Sequence, residues 1–375
     1  MQIRGGIVLN GTNNRFERLD IRIENGKISL FGILPMDGED YDASGMYVIP
    51  GFIDTHIHGT MGVEFASANE RFDKARSYLA TQGVTTLAPT VRALSADRTV
   101  AAIKNIVRES KRDFKGTRIG GIHIEGPFVA QKYKGAMNPP NVDMSEKTVA
   151  RFLSAGEGLV KIITIAPELS GADGIIEYMS DRGVHASIGH TNATFDEAKR
   201  AIECGADRVT HLFNAMRPLS HRDPGVLTCA LADERLMCEL ICDFVHVDPA
   251  VVSMALRCKG SENVTLVSDN GFMSGLGDGV FNVDGRDRYV TDGVCRTPEG
   301  KIAGSTVSIL AGAKNLLSLG VTLEEISKLA SANPAKALGI DSEVGSVTCG
   351  RYADLIVTDG ELNIKAVFVG GVRVA

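Results

Sequence analysis

The chain has 375 residues, 44% of them hydrophobic and 23% charged, a balance that supports a sizeable folded core rather than a disordered chain. Forty basic residues stand against 46 acidic ones, for a net charge of −6, and no basic block offers the footprint that a nucleic acid needs. The longest uncharged run, Ser77–Val91, holds a proline and several threonines and is too short to cross a bilayer; the first six residues lack the apolar stretch of a secretion signal.

Residues 1–49 read as short strands joined by turns, with candidates at Ile7–Leu9, Leu19–Ile23 and Lys27–Leu30 and a two-residue hairpin signal at Asn25-Gly26. The final stretch, 345–375, has the same character, with strand-like Asp354–Val357, Lys365–Val369 and Val372–Val374. The two ends are therefore expected to build one small β-sandwich domain, 1–49 plus 345–375.

The middle, 50–344, alternates. Predicted strands are Gly51–His58, Val84–Thr90, Arg118–Glu125, Leu159–Ala166, Val184–Gly189, Arg208–Leu212, Met237–Cys242 and Val264–Ser268. Helical patterns at Asn69–Gln82, Ala96–Arg112, Ser145–Leu153, Gly174–Arg182, Thr194–Cys204 and Pro249–Cys258 lie between most of them. Eight short apolar strands alternating with helices predict an α/β fold, a (β/α)8 TIM barrel. A doubly wound sheet would want a glycine-rich phosphate turn after its first strand, where this chain has His56-Ile57-His58-Gly59. After the eighth strand, residues 280–303 read as an inserted hairpin with turns at Asp284-Gly285 and Asp292-Gly293. The seven cysteines form no Cys-x-x-Cys pair and read as reduced thiols, which predicts a cytoplasmic protein.

The chemistry lies at the predicted strand ends. Strand one ends in His56-x-His58, strand three in Glu125, strand five in His190, strand six in His211 and strand eight in Asp269, while strand seven runs into Asp243 and His246. Strand periodicity puts His56 and His58 on one side, and a barrel gathers all its strand ends on one rim. A lone histidine is more often a hydrogen-bonded core residue, and Asp269 alone could cap the turn that Asn270-Gly271 makes. Four histidines and two acids on one rim point instead to a divalent metal site, for which these ligands suit zinc, iron, manganese or cobalt and geometry alone does not choose among them. His123 shares the parity of Glu125 and is expected inside the barrel near the ligands; His185 lacks a strand-end position and reads as structural. No Gly-x-Ser-x-Gly elbow or Walker loop is present, and Gly275-x-Gly277-x-Gly279 has no helix behind it and reads as a loop.

The run from Pro50 to Gly59 resembles the first-strand signature of the amidohydrolase superfamily. His123-Ile124-Glu125-Gly126-Pro127-Phe128, Gly189-His190-Thr191, Thr210-His211-Leu212-Phe213-Asn214-Ala215-Met216, Arg222-Asp223-Pro224-Gly225 and Ala303-Gly304-Ser305 are similar to the N-acetylglucosamine-6-phosphate deacetylase family. The resemblance covers nearly the whole chain. It implies hydrolysis of the acetyl amide of an amino-sugar phosphate in amino-sugar catabolism, with Glu125, His190 and His211 as metal ligands. Strand four ends Ala166-Pro167-Glu168 without the lysine that other superfamily members use as a bridge, which leaves that role to Glu125; His56 and His58 make a second metal plausible. Asp269 is the candidate general base and acid.

The same resemblance implies that Asn214, Ala215, His246, Ile302, Ala303 and Gly304 touch the substrate, that Arg222 clamps its phosphate, and that the protein is a homodimer in which one subunit serves the other's phosphate site. Two residues depart from the family pattern on the substrate side: Met137 where a histidine is usual, and Phe244 where a glycine is usual. A different N-acetylhexosamine, an N-acyl amino acid or a cyclic amide is the alternative substrate, and a catalytically idle barrel acting as a sensor or scaffold is the alternative class.

Overall fold

The computed structural model describes residues 1–35, 40–283 and 285–375; Asp284 of the expected Asp284-Gly285 turn lies outside them. Eight parallel strands, Phe52–Ile57, Val84–Val91, Ile122–Glu125, Val160–Ile165, His185–Ile188, Ala206–Val209, Met237–Ile241 and Val264–Val267, follow one another around a nearly closed barrel. The first and eighth are tied at their carboxyl ends. The Asp269 N–H donates to the His56 carbonyl at 2.9 Å, and the Ser268 hydroxyl donates to the buried Asp54 carboxylate at 2.5 Å.

The strands are apolar on the side that faces the surrounding helices, and one core cluster runs through both layers. Their inward side is partly polar. Thr164, Ser187 and Thr210 form a hydroxyl chain with links of 2.8 and 2.7 Å, so these buried groups satisfy one another. The predicted helices are present, with the first shortened to Asp73–Thr81 and the fifth, Phe195–Glu203, opened by a capping box between Thr194 and Glu197. The helices at Val226–Ala232, Ile309–Ser318 and Asn333–Leu338 were not among the sequence expectations; Val226–Ala232 is short and almost uniformly apolar, which leaves no period to read.

Both chain ends meet in one eight-stranded sheet of Gln2–Asn10, Arg15–Glu24, Lys27–Gly32, Asp40–Asp42, Tyr47–Pro50, Leu355–Thr358, Ile364–Val369 and Val372–Arg373. Ile3, Ile21 and Ile28 pack with Leu355, Val357 and Phe368 in a core of their own. Asn25 and Gly26 both have positive φ, 50° and 77°, the geometry of the tight hairpin that joins Arg15–Glu24 to Lys27–Gly32. The insertion after the eighth barrel strand is a three-stranded meander, Gly279–Val283, Arg286–Thr291 and Val294–Arg296.

Candidate active site

Five predicted ligands converge on one point. Glu125 closes the third strand, buried to 3% exposure. Its Oε1 lies 3.3 Å from His56 Nε2, 3.1 Å from His190 Nε2 and 3.0 Å from His211 Nε2, and its Oε2 lies 3.2 Å from His58 Nε2. The ligand atoms fall into two groups that share this carboxylate: His56, His58 and Glu125 on one side, and Glu125, His190 and His211 on the other. Metal–nitrogen and metal–oxygen bonds of about 2.0–2.2 Å place neighbouring tetrahedral ligands about 3.3–3.6 Å apart, and the observed separations of 3.0–3.3 Å lie at or just below that spacing.

Backbone geometry explains how residues from different strands aim at one point. His190, His211 and Asp269 each lie two residues past the end of a strand, and each is left-handed, with φ of 49°, 30° and 49°. Side chains other than glycine and asparagine rarely adopt this region, and a cluster of such residues marks a site where the fold holds strain for function. The loops are pinned from behind. The His190 Nδ1–H donates to the Tyr133 carbonyl at 2.8 Å, which leaves Nε2 for the cluster. Glu168, three residues past the end of the fourth strand, accepts from the Thr191 hydroxyl and the Asn192 N–H, both at 2.5 Å.

The electrostatics call for positive charge at this point. Burial pushes the Glu125 carboxyl upward, but His56, His58 and His190 overcome it and hold the group well below the ordinary carboxylate range. Asp269 behaves alike: burial raises it, and His58 and His56 draw it down to about 2. In return, burial opposes charge on His58, yet Glu125 and Asp269 lift it to about 9. The carboxylates thus bind protons on the imidazoles unless another cation is there, and a divalent ion satisfies the same field while the imidazoles stay neutral. The buried Nε2 of His56 has no hydrogen-bond partner, as expected for a ligand atom. The donor set of nitrogen and carboxylate oxygen fits zinc, iron, manganese or cobalt.

A cavity of about 740 Å³ opens onto the cluster. Asp269 reaches its wall with Oδ1 at 3.2 Å from His58 Nε2. Asn214, Ala215, His246, Ile302, Ala303 and Gly304 line the same cavity. His246 is held by Asp243, whose Oδ2 lies 2.6 Å from its Nδ1; burial lowers its pKa, and Asp243 more than reverses this, raising it above the ordinary value. Arg222 is not among the described lining residues; it is exposed in the loop between Arg217 and Pro224. Met137 does line the cavity. Phe244, expected on the substrate side, packs against the barrel core instead, and its φ of 61° lies in the region a glycine occupies without strain.

His123 lies inside the barrel with both ring nitrogens engaged, Nδ1 with the Thr55 carbonyl at 3.2 Å and Nε2 with the Thr164 hydroxyl at 2.8 Å. Burial, with His56 beside it, lowers its pKa to about 3, so it is a neutral support. His185 pairs with Asp207 at 2.6 Å at the far end of its strand. Sequence reasoning missed two sets of residues. Arg92 lines the cavity from the loop after the second strand, Arg98 from the first turn of the helix Ala96–Ser110, and Arg286 and Arg288 from the insertion. Glu239, buried on the seventh strand, touches His56. A charge inside the apolar run Met237–Ile241 was the available signal for the second.

Comparison with known proteins agrees with this geometry. Residues 47–374 match the model of the Amidohydrolase family. The chain is 32% identical to the N-acetylgalactosamine-6-phosphate deacetylase of Escherichia coli O157:H7, covering 94% of this chain and 93% of that protein. It is 33% identical to the N-acetylglucosamine-6-phosphate deacetylase of Vibrio furnissii, covering 93% and 88%. Among solved structures it superimposes with a TM-score of 0.91 on a mutant N-acetyl-D-glucosamine-6-phosphate deacetylase from Mycobacterium smegmatis in complex with N-acetyl-D-glucosamine-6-phosphate, at 32% identity over 100% of this chain and 99% of that one. The chain belongs to the amidohydrolase family and, within it, to the group of N-acetylglucosamine-6-phosphate deacetylases.

Proposed function

We propose that the protein hydrolyses the acetyl amide of N-acetylglucosamine 6-phosphate, releasing acetate and the free amino-sugar phosphate. The observation that carries this reading is the convergence of four imidazoles and two carboxylates at one end of the barrel, five of them lining the cavity and His56 fully buried beside them. The fit of a hexosamine phosphate is supported by Arg92, Arg98, Arg286 and Arg288 in the same cavity, cations suited to a dianionic group.

His56, His58 and Glu125 on one side, and Glu125, His190 and His211 on the other, would hold one or two divalent ions, zinc in our reading, which would supply Lewis acidity toward the amide carbonyl and lower the pKa of a bound water toward ~7. Asp269 is ionised at neutral pH and accepts a proton from the attacking water. It then returns that proton to the sugar nitrogen as the C–N bond breaks, so one carboxylate serves both transfers. Asn214, Ala215 and His246 orient the sugar, and the backbone at Ile302–Gly304 closes one side. Arg222 stays outside its own cavity, so the phosphate role implied by the family resemblance requires a second copy of the chain, and we take the active form to be a homodimer. With all seven cysteines free, we place the protein in the cytoplasm.

Acetate release from N-acetylglucosamine 6-phosphate, its galactosamine epimer, the unphosphorylated sugars and a set of N-acyl amino acids tests the reading. Turnover of a phosphorylated sugar is expected. Activity confined to N-acyl amino acids overturns it. The galactosamine epimer is the second reading, favoured by the 32% identity to a deacetylase of that sugar phosphate.

A further inference from the structure

Glu239 is fully buried in the strand Met237–Ile241, between apolar neighbours, and it does not line the cavity. An ionisable group in such a place is costly unless it is paired, so its contacts reveal what it is kept for. Its Oε2 lies 2.8 Å from His56 Nδ1 and accepts the backbone N–H of His211 at 3.2 Å. Its own carbonyl accepts the Leu212 N–H at 2.8 Å. One residue thus grips a ligand from the first strand and the left-handed turn that carries a ligand from the sixth.

We propose that Glu239 is a positioning residue of the metal centre, fixing His56 with its proton on Nδ1 and its Nε2 lone pair turned to the cluster, while anchoring the His211 turn through the main chain. The geometry supports this at each step. His56 Nε2 is the buried, unpartnered nitrogen that faces Glu125 Oε1 at 3.3 Å. A carboxylate behind an imidazole sets its tautomer and raises its basicity toward a metal.

Two other roles fit less well. His56, His123 and Glu239 lie close enough together to suggest a second, deeper ion site, but both nitrogens of His123 are already engaged by Thr55 and Thr164. Glu239 could instead serve the buried Arg208 guanidinium on the neighbouring strand, yet Arg208 donates to the Thr265 hydroxyl at 3.5 Å, while Glu239 spends Oε2 on His56 and His211.

The proposal rests on the metal reading above, and its test separates the two. Cobalt(II) is titrated into the metal-stripped full-length protein, following affinity by competition with a chromophoric chelator and coordination by the visible spectrum. Glu239→Gln keeps the size and one acceptor but loses the charge, and is expected to weaken binding by about 10–100-fold with an altered spectrum. The double variant Arg208→Met with Glu239→Gln removes both buried charges. It is expected to recover thermal stability while cobalt binding remains weak, whereas a glutamate kept only for Arg208 predicts that binding recovers too. Wild-type affinity and spectrum in Glu239→Gln, or in the double variant, overturn the proposal alone; a wild type that takes up no cobalt overturns the metal reading with it. Histidine-selective nitrogen NMR of the zinc-loaded wild type gives an independent check that needs no variant: protonated Nδ1 on His56 is expected, and a metal-bound Nδ1 refutes the assignment.

Discussion

Replacing Asp269 by asparagine separates catalysis from architecture. The backbone contacts of this residue, its N–H on the His56 carbonyl and its carbonyl accepting the Ser305 N–H, both at 2.9 Å, do not involve the side chain. Its φ of 49° is one that asparagine tolerates well. The fold and the His56, His58, Glu125, His190 and His211 cluster should therefore survive. What is lost is the proton-accepting oxygen beside the cluster, since Glu125 has both oxygens occupied by imidazoles at 3.0–3.3 Å and cannot replace it. Loss of a positioned general base and acid costs about 10²–10⁴ in kcat, equivalent to about 3–5 kcal/mol of barrier. The assay is acetate release under saturating substrate, with metal content measured on the same sample. A variant that retains its metal and loses turnover by this margin is expected. Near-normal kcat refutes the assignment of the base, and loss of metal together with activity shows that Asp269 acts as a ligand first.

Substituting Arg286 by alanine should raise KM for the phosphorylated sugar about tenfold or more while leaving the unphosphorylated sugar unaffected, as expected for a charge-assisted hydrogen bond of about 1.5–3 kcal/mol; equal effects on both substrates contradict an anion role. His246 should titrate above its ordinary value of 6.5 because Asp243 outweighs its burial. Its contribution to stability is therefore present in full below that value and fades as pH rises through the elevated pKa. Nitrogen NMR should show the midpoint falling in Asp243→Asn, and an unchanged midpoint removes Asp243 as the cause. Phe368→Ala empties a fully buried position in the sheet built by the two chain ends. It should cost about 3–5 kcal/mol by denaturant titration, whereas a loss below about 1 kcal/mol shows that this core does not carry the domain.

The barrel was legible in the sequence because its strands are short apolar runs separated by helical periods, and because ligand-type residues recur where those runs stop. His56 and His58 declared themselves through period-two spacing. Less legible was everything that depends on which strands become neighbours. Glu239 and Arg208 look like ordinary strand charges until the barrel places them inside, beside His56 and Thr265. The arginines of the insertion had no signal of their own, since a charge on a hairpin usually faces solvent, and it is the position of that hairpin over the rim that brings Arg286 and Arg288 to the cavity. Phe244 was misplaced for a related reason. Its backbone turns left-handed after the seventh strand and swings the ring onto the core, and a linear motif does not show that turn. Arg222 matched a family motif yet lies exposed and off the described cavity lining, because a motif records a residue type and not the path of the loop that carries it.

Anomalous diffraction from crystals grown with zinc, combined with activity of the dissolved crystals, bears most directly on the metal centre. A zinc peak within bonding distance of Glu125 Oε1, His190 Nε2 and His211 Nε2 is predicted, with any second ion shared between Glu125, His56 and His58. Fully active crystals with no anomalous scatterer at Glu125, or with one bound elsewhere, would contradict it.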